Sequence, residues 1–69
     1  MTYLIKMIEP FTVGGYFLTF DMNHGVGLGG PAADNKKKFY SHAAAKLGVK
    51  IAERIYPDKK FEVVKNGVI

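Results

Sequence analysis

The chain has 69 residues and a mass of 7.6 kDa, room for one small domain over residues 1–69 that buries only about 60% of the surface its unfolded form exposes. Apolar residues make up 48% and charged residues 23%, the balance of a folded domain and not of a disordered segment. The absence of cysteine excludes a disulfide framework, a thiolate nucleophile and a cysteine-ligated metal. No apolar run approaches the roughly 18 residues of a membrane span, and residues 1–6 are too soon interrupted for a signal peptide, so the expected compartment is the cytoplasm.

Residues 2–9, 16–20 and 25–29 read as strands, punctuated by Pro10 and the Gly14-Gly15 pair. In the second, Tyr16, Leu18 and Phe20 alternate with Phe17, Thr19 and Asp21, which puts three large apolar groups on the face that should meet a helix. Asp21 to His24 carries turn chemistry, with Asn23 suited to the left-handed backbone, so the second and third strands form a hairpin. In the third strand Gly25, Gly27 and Gly29 share one face and leave it bare, while Val26 and Leu28 share the other. An aromatic ring is expected to pack across those glycines.

Past Gly30-Pro31 and Asp34-Asn35, apolar residues recur at helical spacing. Phe39, Tyr40, Ala43, Ala44, Leu47, Ile51 and Ile55 fall within an arc of roughly 160°, which predicts one amphipathic helix from about Lys36 to Tyr56, stopped by Pro57. Gly48 stands at the edge of that arc and costs about 1 kcal/mol relative to alanine. A break into two helices is the alternative there, but the stripe keeps its phase across the glycine. Residues 61–65 form a last strand, and Asn66-Gly67 is a turn signal with only Val68 and Ile69 beyond it. Those two residues should lie on the core or complete an edge against a second copy. The expected class is α+β: an antiparallel sheet of three or four strands with one long amphipathic helix packed on it, in the order βββαβ.

Charge is unevenly placed along this pattern. Residues 1–33 hold one base against two acids and residues 34–69 nine bases against four acids, for a net charge of +4. Lys38, His42, Lys46, Lys50 and Arg54 follow one another at i, i+4 beside the apolar arc, with Lys36 and Lys37 ahead of them. Like charges at this spacing cost a helix about 0.2–0.5 kcal/mol per pair, and lysines at a helix start face the positive end of its dipole. A solvated helix face explains such a row in structural terms. In functional terms these seven residues form a surface for phosphates or for an acidic protein.

Other chemistry finds little footing. Gly25, Gly27 and Gly30 match G-x-G-x-x-G, but a dinucleotide site needs a parallel βαβ unit that this chain barely has room for. His24, His42 and Asp21 match no metal-ligand spacing, and Ser41 and His42, adjacent on a helix, point in different directions. No cofactor, no metal and no catalytic residue is expected. If Phe17 or Tyr40 is exposed beside the lysines, it offers a base a surface on which to stack.

The stretch from Tyr16 to Ile55, with its glycine-rich strand, Lys36-Lys37 at the expected helix start and Ala43-Ala44 further on, resembles the sheet-then-helix part of a double-stranded RNA-binding domain. It departs from that family where Phe39 and Tyr40 stand in place of a small residue and a further lysine, in lacking the first helix, and in adding a terminal strand. The order of three strands and a helix is also similar to the arm-site DNA-binding domains of phage integrases. Both likenesses imply a non-enzymatic module that binds nucleic acid through a basic helix row. The alternative is a small inhibitor or adaptor of phage or mobile-element type that acts on a larger protein complex. Either partner, nucleic acid or an acidic protein surface, leaves the membrane aside and allows a homodimer through a sheet edge.

Overall fold

The structure is a computed structural model that describes residues 2–66. The tail of Val68 and Ile69 lies outside the described residues. The elements are β1 (Tyr3–Glu9), β2 (Tyr16–Asp21), β3 (Gly25–Gly29), α1 (His42–Ile55) and β4 (Lys60–Lys65), in the expected order βββαβ. All four strands join one antiparallel sheet with the spatial order β3-β2-β1-β4. In the β2–β3 hairpin the Asp21 carboxylate accepts from the Asn23 N–H at 2.7 Å. Gly25, and not Asn23, takes the left-handed backbone there, at φ +76°.

The sheet is not evenly paired. β4 lies against β1 along its length, from Tyr3 opposite Lys65 to Glu9 opposite Lys60, whereas β1 meets β2 only at Lys6–Phe17 and Met7–Tyr16. Beyond those two pairs the strands part, and residues 35–39 enter the gap. The Phe20 N–H donates to the Asn35 carbonyl at 3.1 Å and the Lys37 N–H to the Leu18 carbonyl at 2.9 Å. Tyr3 and Phe39 exchange two further backbone hydrogen bonds of 2.8 and 2.9 Å.

These bonds correct the expected start of the helix. Every backbone N–H and C=O needs a partner, and between Asn35 and Phe39 several find theirs in the sheet, so the segment is extended although its side chains repeat at helical spacing. The helix begins at His42. Ser41 caps it from an extended backbone, its Oγ accepting from the Ala44 N–H at 3.1 Å. It then runs unbroken through Gly48, as expected, to Ile55, and the Tyr56 N–H closes it on the Ala52 carbonyl at 2.8 Å.

The buried face of the helix also differs from the expected one. Ala45, Gly48 and Ala52 are buried, whereas Leu47, Ile51 and Ile55 are 61%, 55% and 47% exposed. The reason is distance. A Cβ on Gly48 would stand 2.5 Å from Ile5 Cδ1 and 2.7 Å from Phe39 Cζ, so the helix approaches the sheet more closely along its small residues than a leucine face permits. The core comprises Ile5, Met7, Leu18, Ala52 and Phe61, with Leu28, Phe39, Val49 and Tyr56 half-buried around it.

Two stability tests follow from this packing. Ile5→Ala should cost about 2–5 kcal/mol, while Leu47→Ala and Ile51→Ala should each change stability by less than about 1 kcal/mol; chemical denaturation would show the reverse order if the expected leucine face were the buried one. Gly48→Ala gains about 1 kcal/mol of helix propensity but meets Ile5, which is fully buried, at an overpacking cost of about 1–3 kcal/mol. A lowered melting temperature is expected, and a raised one would mean that the contact yields.

Candidate partner-binding surface

The seven basic residues singled out in the sequence do not share one face. Residues 35–39 are extended, so successive side chains leave on opposite sides of the sheet. The Lys36 ammonium donates to the Pro31 carbonyl at 2.6 Å and sits 4.4 Å from the Phe17 ring centroid. It is held within the fold. Lys37 points the other way, with its ammonium 5.6 Å from the Phe20 centroid and 5.9 Å from that of Phe39. Lys38 is exposed ahead of the helix and does not extend the helical row.

On α1 itself a step of four residues drifts by about 40°, so the row from His42 to Arg54 winds round the helix. The exposed ring of His42 stands edge-on to Tyr3 with centroids 5.6 Å apart. Lys46 lies on the β4 flank, where Glu53 and Glu62 line the same depression, and the Glu53 carboxylate accepts from the Phe61 N–H at 3.4 Å. Lys50 borders that depression too, and with Arg54 it flanks the exposed Leu47 and Ile51. Among the described residues the side-chain acid–base contacts are His24–Asp21 at 3.6 Å and Lys59–Asp58 at 3.3 Å. Lys37, Lys38, Lys46, Lys50 and Arg54 take part in neither.

What the structure does bring together is apolar. α1 packs on β1 and β4 and leaves part of the same face of β2 and β3 uncovered. There Phe20 lies opposite Val26 and Leu18 opposite Leu28, and Phe20 and Val26 are 46% and 39% exposed. They floor a cleft of about 140 Å³ whose wall is Gly48 and Ile51 of α1 and whose rim carries Lys37. Ile51 joins this cleft to a second one formed with Leu47, Lys50 and Arg54. Among the described residues no carboxylate lines either cleft. The sequence reading missed this surface because it spent Leu47 and Ile51 on the core; the small residues Ala45, Gly48 and Ala52, three or four apart, were the available signal of where the helix is buried.

The glycine strand is closed by something other than the expected aromatic ring. A Cβ on Gly29 would lie 2.8 Å from both Ala33 Cβ and Thr19 Cγ2, so the loop after β3 folds back over this end of the bare face, and Thr19 is buried there. At Gly27 the nearest atom would be Thr19 Oγ1 at 3.4 Å, and at Gly25 nothing lies within 4 Å.

Among the described residues no group of three or more His, Cys, Asp or Glu side chains is placed to hold a metal ion. Among the described residues no helix is long and apolar enough to cross a membrane. Comparison of the chain with protein-family models, with curated proteins and with solved structures gave no match. The surface is therefore read from its own residues.

Gly29→Val should lower stability by about 1–3 kcal/mol through overpacking against Ala33 and Thr19, whereas Gly27→Val should cost clearly less. Thermal melts of the two variants give the order, and equal melts would show that the loop moves aside.

Proposed function

We propose that the protein is a non-enzymatic binding module of the inhibitor or adaptor type, which engages another protein through the uncovered half of its sheet. The observation that carries this reading is the continuous run of exposed Phe20, Val26, Leu47 and Ile51, rimmed by Lys37, Lys50 and Arg54. Large contiguous apolar patches are rare on monomers and mark sites of association, and a fold this small has little stability to spare for exposing side chains it could bury. A charged rim round an apolar centre is the general anatomy of a protein interface. The winding of the basic row speaks against a single flat phosphate-binding face.

One feature favours nucleic acid as a second reading. Tyr40 is 77% exposed, and with Phe20 and Lys36 to Lys38 it lines one depression of about 280 Å³. Two aromatic rings beside cations suit an unpaired strand, whose bases stack while its phosphates are neutralised.

Affinity capture from a lysate with and without nuclease, using the wild type and Ile51→Asp, separates the two. The protein-partner reading expects a defined protein that survives nuclease and is lost with Ile51→Asp. Nucleic-acid binding expects capture that nuclease abolishes, weakened by Tyr40→Ala and Lys38→Gln. Anisotropy with a labelled single strand should in that case fall steeply between about 50 and 200 mM salt.

A further inference from the structure

We propose that the partner segment seated on the uncovered half-sheet is a single α-helix, with an apolar stripe bordered by carboxylates, lying beside α1 as a second helix on the sheet. This rests on the protein-partner reading above and adds the shape and charge of what is bound.

The shape follows from widths. Strands stand about 4.8 Å apart and a helix with its side chains is about 10 Å across, so one helix covers roughly two strands. α1 takes β1 and β4. β2 and β3 remain, a strip one helix wide, bordered by α1 and by the inserted residues 35–39. Its open floor is Phe20 and Val26, beside buried Leu18 and half-buried Leu28, four apolar side chains that offer no hydrogen bond to a backbone laid upon them. An extended or looped segment would bury backbone N–H and C=O groups against that floor without partners, whereas a helix satisfies its own. The 14 residues of α1 set the wall at about 20 Å, so about 14 residues of a partner helix fit alongside.

The sign of the charge follows from the rim. Lys37 stands over the floor, and Lys50 and Arg54 border the Leu47–Ile51 wall. Among the described residues both clefts lack an acid; Glu53 and Glu62 lie on the β4 flank of α1, in a depression that Lys50 also borders. Acidic side chains bordering the partner's stripe meet unpaired cations. A second copy of this chain is a poor occupant, because the exposed stripe of its own α1 carries Lys50 and Arg54 and would bring cations against cations.

The test uses the full chain and three fluorescein-labelled synthetic peptides of about 14 residues, each locked helical by a side-chain lactam. One has a leucine stripe flanked by glutamates, one the same stripe flanked by lysines, and one the glutamate composition in scrambled order. Anisotropy titration should show the first binding at least about tenfold tighter than the other two. Ile51→Asp and, independently, Leu47→Asp should each remove at least about tenfold of that affinity while the circular-dichroism melt is retained. Lys50→Gln with Arg54→Gln should weaken it about three- to tenfold and flatten its salt dependence. Equal binding of the three peptides overturns the proposal, as does indifference to both aspartate variants. A dimer in light scattering that Ile51→Asp converts to monomer also overturns it, by showing the groove filled by a second copy. If a captured protein depends on Ile51 while the peptides show no preference, the helix is wrong and the protein-binding reading stands. If no captured protein depends on Ile51, that reading itself falls.

Discussion

The distance between α1 and β1 at Gly48 governs the rest of the molecule. With no side chain at that position, Ile5 and the edge of Phe39 press directly against the helix backbone, and Ala45 and Ala52 continue the close contact on either side. Dispersion rewards such proximity, and it fixes the roll of the helix about its axis. Once the small residues face inward, Leu47, Ile51 and Ile55 must stand out to the side. The exposed apolar flank is thus the geometric consequence of a glycine, and the helix gives up about 1 kcal/mol of propensity there.

A second constraint acts on the lysines. Because β1 and β2 separate after two residue pairs, the segment carrying Lys36, Lys37 and Lys38 is drawn into the gap as extended chain. Alternation then divides the cluster: one ammonium is tied to Pro31 on the far face and another stands over Phe20 on the near one. Three adjacent lysines in the sequence become one structural cation, one rim residue and one freely solvated charge. A run of like charge in a sequence is a statement about composition until the backbone conformation is known.

Much of the fold was legible in the residues. Alternation in Tyr16 to Asp21, the glycine-spaced third strand and Pro57 after the helix marked β2, β3 and the end of α1, and the structure has the expected βββαβ order. The start of the helix was not legible, because its determinant is the hydrogen-bonding demand of two distant strands and not the propensity of residues 36–41. Nor was the buried face. Helical spacing defines a stripe by hydropathy, but a helix at close range is placed by side-chain volume, and alanine and glycine carry that signal only faintly. The candidate surface inherited both misreadings: Lys50 and Arg54 border it as members of the expected row, whereas Phe20, Leu47 and Ile51 were assigned to the interior.

The pairing of β1 has a consequence for the order in which the molecule is built. This strand lies near one end of the chain and sits inside the sheet, but its extensive partner is β4, near the other end, with Lys65 opposite Tyr3 and Asn66 donating to the Thr2 carbonyl at 2.9 Å and, through its side chain, to the Thr2 hydroxyl. Most of the β1 ladder cannot close until β4, more than fifty residues later in sequence, is present. Until then only the β2–β3 hairpin and the helix have local partners, and the entropy of closing so long a loop is met in one step. Assembly of this sheet therefore waits on β4, and until that strand is in place Leu4, Ile5 and Met7 lack most of their cover.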